Sequence, residues 1–389
     1  MAAGVGFGPE VVRGQRPPPS IHDVRLENPA ALRRFYAALR TVEQGADRKV
    51  RVLHYGDSNV AADLWTRVTR DFLHERYGDG GPGYVVPGFG SRADPDLRVR
   101  QGPGWHSRRK GFAKDFGPLD GLWGLAGVAA EGRGRGAWID LDMPPMPRGG
   151  VLEIHALGRP KGGDLEVRID DGRPVPIPTE APREGLVHRR FHLAPGGHEA
   201  RVRVNDWRPA RLLGVSVELA GRGVVYDVLG INGHRASALL EWNEDLWRAQ
   251  LEQRRPDLVV LSYGGNEALD PQLGLDSYQE QLERVVSRVQ RLMPNAGILL
   301  VGPIPMCPER PRVAQVAAVQ RRVARRAAVA FWDSSRIAGD EPSLCSWRGR
   351  RPPLISGDGM HLSKEGYGEV GRRFTRALLA PLQRRHARR

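Results

Sequence analysis

Two textures alternate along this chain, and their order limits the architectures open to it. Residues Val50 to Tyr77 read as a short apolar strand followed by a helix, whereas from about Tyr84 to Gly223 glycine and proline become dense and apolar residues alternate in short runs. Past Gly223 apolar strands and amphipathic helices take turns again. The apolar runs Val50 to Tyr55, Val224 to Gly230, Leu258 to Ser262, Ile298 to Val301 and Val329 to Trp332 are continuous, the pattern of strands covered on both faces. Helical spacing fills the gaps, at Asn28 to Val42 with Asn28 as N-cap and Pro29 at N1, Ala61 to Tyr77, Ala238 to Gln253, Tyr278 to Met293, Val313 to Ala328 and Gly366 to Leu382. This predicts an α/β domain of three layers around a five-stranded parallel sheet.

The middle stretch predicts something else. Ala137 to Leu141, Val151 to Ala156, Leu165 to Ile169, Arg190 to Leu193, His198 to Val204 and Leu212 to Leu219 are short alternating runs. Turn signals such as Asp171-Gly172 and Pro195-Gly196-Gly197 separate them, as in an antiparallel sandwich or jelly roll. The expected organisation is a Pro-rich leader (1–27), a first part of the α/β domain (28–83), a β-rich insertion (84–223) and the second part of the α/β domain (224–389).

In open α/β sheets ligands bind beyond the carboxyl ends of the strands. Four pieces fall there: Gly56-Asp57-Ser58, Gly230-Ile231-Asn232-Gly233, Gly264-Gly265-Asn266-Glu267 and, in the loop before the last helix, Gly357-Asp358-Gly359-Met360-His361. Ser58 at a strand-to-helix turn is equally good N-cap chemistry, and a lone histidine is more often an ordinary surface group. As a set they supply a nucleophile, a base and anion donors. A serine needs a base in hydrogen-bond reach, for which His361 is the candidate, and Asp358 three residues earlier can orient its imidazole. The N–H groups of Ser58 and Gly233 and the Asn266 side-chain amide are candidate oxyanion donors.

Those blocks resemble the SGNH, or GDSL-type, hydrolases over about residues 45–80 and 224–385. The resemblance implies a flavodoxin-like sheet and esterase or lipase activity. More narrowly, Tyr55-Gly56-Asp57-Ser58 with Ala61-Ala62-Asp63, the run Tyr77 to Gly83, LGINGHR and SYGGNEA are similar to peptidoglycan O-acetylesterases of the Ape1 type. In that group the insertion is similar to a carbohydrate-binding module, and the implied substrate is an acetyl ester on the muramoyl 6-hydroxyl. The group commonly carries histidine directly after the nucleophile; this chain has Asn59.

Composition narrows the alternatives. The net charge of +14 raises nucleic acid as a partner, but Lys49, Lys110, Lys114, Lys161 and Lys364 are the only lysines and the arginines are scattered, so no dedicated phosphate-binding patch is expected. Attraction to an anionic cell-wall polymer remains compatible with that charge. No apolar run approaches the roughly 20 residues of a membrane helix. The N-terminus lacks a basic, then apolar, signal pattern. The expected compartment is therefore cytoplasmic if the sequence is complete, and periplasmic or extracellular if an export signal was removed. Cys307 and Cys345 are too few for a disulfide framework, with a single bridge left open. No metal or cofactor motif is present, so none is expected. His54 is expected to be structural, and Trp65, Trp105, Trp123, Trp207 and Trp242 to be mostly core, with sugar stacking as the alternative. The leading expectation is a serine esterase removing short acyl groups, O-acetyl first, from a carbohydrate. The alternatives are an O-acyltransferase using the same triad and a non-catalytic glycan-binding protein. Oligomeric state is not readable.

Overall fold

The computed structural model describes residues 24–85, 97–109, 120–339 and 343–386. In chain order the first part contributes α1 (Arg33–Glu43), β1 (Lys49–Gly56), the one-turn α2 (Ser58–Ala61) and α3 (Trp65–Tyr77). The expected single helix from Ala61 is thus two. Asp63 breaks it by taking a left-handed conformation, φ 51°, and its carboxylate accepts from Thr66, Arg67 and Arg70 in the first turns of α3. Asn28 also departs from expectation. It makes no side-chain cap, and its amide instead donates to the carbonyls of Ala328 and Val329. Most of the expected leader lies outside the described residues. Its last part does not hang free, because Glu27 exchanges backbone hydrogen bonds with Phe331 and Val24 and Leu26 pack on the core.

The β-rich stretch holds β2 (Gly83–Val85), β3 (Arg98–Gln101), β4 (Trp105–Arg109), β5 (Val128–Gly132), β6 (Trp138–Asp142), β7 (Gly150–Gly158), β8 (Leu165–Ile169), β9 (Val175–Ile177), β10 (Gly185–Leu193), β11 (Glu199–Val204) and β12 (Ala210–Leu219). They form two antiparallel sheets, ordered β10-β7-β12-β5-β4, with β2 on β12, and β3-β6-β11-β8-β9. Apolar residues of both sheets, among them Ile139, Leu141, Ile154, Val167, Val202 and Val215, close a core between them. This is the expected sandwich.

The remaining chain is β13 (Gly223–Gly230), α4 (Glu244–Arg254), β14 (Leu258–Ser262), α5 (Gly265–Ala268), α6 (Leu275–Leu292), β15 (Gly297–Val301), α7 (Pro311–Arg326), β16 (Ala330–Trp332) and α8 (Lys364–His386). The helix expected from Ala238 starts later, where Asn243 caps α4 by accepting from Leu246 N–H. The parallel sheet runs β13-β1-β14-β15-β16, with helices on both faces and an apolar core on each side. The fold is therefore α/β, a five-stranded parallel sheet interrupted by a β-rich insertion. Among the described residues no helix is long and apolar enough to cross a membrane.

Buried charge ties insertion to sheet. Arg254 at the end of α4 is 2% exposed and bonds both Asp227 on β13 and Glu218 on β12. Glu218 also takes Arg51 of β1, and Asp227 accepts from Tyr84 N–H of β2. The buried guanidinium is tolerated because two carboxylates, Asp227 and Glu218, are directed at it. His54 is likewise structural: it is fully buried, joined to Tyr226 and Ser262 at 2.7 Å each, and burial pushes its imidazole down to about 3. Trp65, Trp105, Trp123 and Trp242 are buried as expected, whereas Trp207 is 83% exposed.

Candidate active site

Strand β1 delivers Ser58 to the carboxyl edge of the sheet. A sharp turn at Gly56 makes this feasible, since a Cβ there would stand 2.3 Å from Val60 Cγ2 and 2.7 Å from the Ser262 carbonyl oxygen. Asp57 caps α2, accepting the Asn59 N–H at 2.9 Å. Ser58 is the first residue of that helix, so its N–H is among the donors that helix geometry leaves without an intrahelical partner.

His361 and Asp358 meet Ser58 there. Ser58 Oγ lies 3.2 Å from His361 Nε2, and His361 Nδ1 lies 2.7 Å from Asp358 Oδ2. The second Asp358 oxygen accepts from the N–H groups of Met360 and His361 and from Ser356 Oγ. These bonds, the Ser356 hydroxyl foremost, hold the Asp358 carboxyl well below the usual carboxylate range. The Asp-x-x-His turn thus orients the imidazole without a second loop. A disulfide between Cys307 and Cys345 braces it, because the Cys307 N–H donates to the Gly359 carbonyl at 2.9 Å. That bridge was the open alternative of the sequence.

The other two expected residues, Gly233 and Asn266, lie in adjoining loops. Asn266 at the start of α5 donates one amide hydrogen to the carbonyl of His234, next to Gly233, at 2.8 Å. An amide has two N–H donors, so one remains for an oxyanion. The α5 loop also abuts the Ser58 turn: a Cβ at Gly265 would stand 3.0 Å from Asp57 Oδ2. Asn266→Ala is expected to lower kcat by about 10²- to 10³-fold while leaving KM near its starting value. A loss of less than threefold in steady-state ester hydrolysis would take Asn266 out of the anion site.

Two groups in this region carry roles that the motifs alone did not announce. Glu267, 2% exposed, accepts from Gly264 N–H and Ala236 N–H, and so clips the β14 and β13 loops together. Asn59 donates its amide to Asp57 and accepts from the Tyr367 hydroxyl at 2.6 Å, tying the Ser58 turn to α8. Burial pushes the Asp57 carboxyl up to about 6 and that of Glu267 up to about 7. A carboxyl raised in the fold binds more protons there than in the unfolded chain, so its contribution is complete below about pH 4 and is lost as pH rises through the folded value. Glu267→Gln is therefore expected to flatten the fall of stability between pH 4.5 and 7, by up to about 3 kcal/mol. Parallel denaturation profiles for the two proteins across that window would contradict this.

The site is open. The His361 and Asp358 side chains are 37% and 46% exposed, which leaves room for a large substrate above Ser58.

Residues 194–368 match the GDSL-like Lipase/Acylhydrolase family, a span that holds Gly233, Asn266, Asp358 and His361 and begins after Ser58. The chain is similar in fold to the solved structure of a peptidoglycan O-acetylesterase, with TM-score 0.76 and 23% identity over 92% of this chain and 99% of the other. A family two carbohydrate esterase from Cellvibrio japonicus is much less similar, at TM-score 0.32 and 11% identity over 73% of this chain and 97% of that one. An acetylxylan esterase from Geobacillus stearothermophilus has TM-score 0.33 and 21% identity over 40% and 73% respectively. No curated protein sequence matches the chain.

Proposed function

We propose that this chain, a carboxylic-ester hydrolase with a GDSL-like lipase/acylhydrolase domain, removes O-acetyl groups from a carbohydrate polymer, with O-acetylated peptidoglycan as the first candidate. The observation that carries the proposal is the hydrogen-bonded series Ser58 Oγ, His361 Nε2, His361 Nδ1, Asp358 Oδ2 at the carboxyl edge of the sheet. His361 takes the Ser58 proton as Oγ attacks the acetyl carbonyl carbon. The oxyanion is received by the N–H groups of Ser58 and Gly233 and by the Asn266 amide. Collapse breaks the bond to the sugar oxygen, which leaves with the proton held on His361. Water then attacks the acetyl-serine with His361 again as base, releasing acetate and restoring Ser58.

The open site favours an ester displayed on a chain over one that must be engulfed, and the β-rich insertion offers a second surface for such a chain. We assign it, residues 84–223, as an inserted domain that holds the polymer. The solved peptidoglycan O-acetylesterase of the same fold supplies the substrate to test first. Acetate release should be compared on O-acetylated peptidoglycan, acetylated xylan and p-nitrophenyl acetate. The proposal expects release from peptidoglycan to exceed that from xylan at equal acetyl content. Hydrolysis of the synthetic ester with no release from either polymer would overturn the polymer substrate, and transfer of acetyl to an added glycan in place of acetate release would replace hydrolysis with acyl transfer.

A further inference from the structure

The insertion carries a second cluster with chemistry that the esterase does not use. On β7 the residues Leu152, Ile154 and Ala156 face the sandwich core, so Glu153, His155 and Leu157 face the other way. That other side is the α/β domain, where Leu157 joins a core with Leu246 and Trp247 of α4. His188 on β10 pairs directly with His155, and Ser216 on β12 pairs with Glu153. Three potential ligand side chains thus converge at the junction of the two folding units. Their ligand atoms all lie within 4.8 Å of one another.

The hydrogen bonding of this cluster is incomplete. His155 is 2% exposed, and neither of its ring nitrogens has a hydrogen-bond partner. His188 Nε2 is buried and also lacks one. Native interiors satisfy the large majority of such atoms, so orphaned imidazole nitrogens beside a carboxylate call for a specific explanation. A shared cation supplies it. His188 Nε2 stands 3.4 Å from Glu153 Oε1, and His155 Nε2 stands 4.0 Å from Glu153 Oε2. Tetrahedral ligands bound at the usual 2.0–2.1 Å to zinc are about 3.4 Å apart, so small side-chain rotations close the set. We propose that Glu153, His155 and His188 bind one divalent transition-metal cation of the zinc class at the junction between the insertion and the α/β domain.

The surroundings are consistent with that cation. Two imidazoles with one carboxylate select zinc-like metals over calcium or magnesium, which prefer oxygen ligands. Ser216 Oγ donates to Glu153 Oε2 at 2.8 Å, the kind of outer bond that orients a ligating carboxylate. The nearby cations are accounted for: Arg254 is neutralised by Asp227 and Glu218, and Arg190, 3.6 Å from Glu153 Oε1, is half exposed and can swing out. The cluster shares no residue with the esterase site and sits against Tyr84 of β2, whose ring lies 5.4 Å from that of His155. The cation is accordingly structural, joining β7 to β10 on the face of the insertion that packs on the α/β domain. No HExxH-like spacing announces it, because two ligands alternate on one strand and the third comes from its neighbour.

The test uses tag-free full-length protein stripped with a chelator and titrated with Zn²⁺ or Co²⁺. One equivalent per chain is expected, with a Co²⁺ absorption spectrum of low coordination number and a rise of several degrees in the melting temperature. His188→Gln and Glu153→Gln are each expected to weaken binding at least about tenfold. Uptake of less than half an equivalent by the wild-type chain, or equal uptake by folded variants, would overturn the proposal. Should either variant not fold, X-ray absorption of the zinc-loaded wild type decides, since two imidazole nitrogens in the first shell support the site and their absence refutes it.

Discussion

Ser58→Ala is expected to lower kcat/KM for p-nitrophenyl acetate by about 10⁴- to 10⁶-fold, with circular dichroism and melting temperature unchanged. The magnitude follows from what is lost. Without Oγ there is no acyl-enzyme, and His361 Nε2, 3.2 Å from that oxygen, has no proton to take. The anion donors survive, so a residual rate over the uncatalysed reaction should persist. Stability should be spared, because Asp57 rather than Ser58 caps α2 and the Ser58 backbone bond to Ala62 is kept. A variant with a tenth or more of the wild-type rate would remove Ser58 as nucleophile, and the acetylated-glycan proposal with it.

The parallel sheet was legible because its strands are continuous apolar runs, buried on both faces at β14 and β15. Its edge loops were legible because Ser58, Gly233, Asn266, Asp358 and His361 come in an order that the alternation of strands and helices puts on one side. What was not legible depends on contacts distant in sequence. Strand β5, with sequence Val-Ala-Ala-Glu-Gly, has no alternation to detect because it is buried throughout. The break at Asp63 rests on a left-handed backbone inside an otherwise helical pattern. Glu267 acquires its role only from Ala236, and Asn59 only from Tyr367 of α8. The Asn59 case bears on its departure from the histidine common in the group it resembles. Its amide gives one donor to Asp57 and one acceptor to Tyr367, a pairing independent of pH, whereas a neutral histidine can meet both needs only until it is protonated.

Asp358→Asn carries the second large effect, and its cause is tautomeric. Asp358 Oδ1 receives three donors, from Ser356, Met360 and His361 N–H, so the oxygen of an asparagine must occupy that corner. Its amide nitrogen is then left facing His361 Nδ1, where Oδ2 had been at 2.7 Å. Two N–H groups cannot face each other, and the imidazole answers by moving its proton to Nε2, toward Ser58. A ring protonated there is no base for the Oγ hydrogen. The expected loss is about 10⁴-fold in kcat with little change in KM or melting temperature. In the wild type the hydrogen bonds from Ser356 and His361 keep the Asp358 carboxyl well below the usual range, so it stays ionised throughout the neutral and mildly acid range. Its stabilising contribution is present above the ordinary carboxylate pKa and fades only as pH falls below it. The wild-type melting temperature should therefore not fall between pH 7 and 5, whatever the activity does. Coincident loss of activity and stability between pH 7 and 5 would show that the triad carboxylate is not held as the geometry requires.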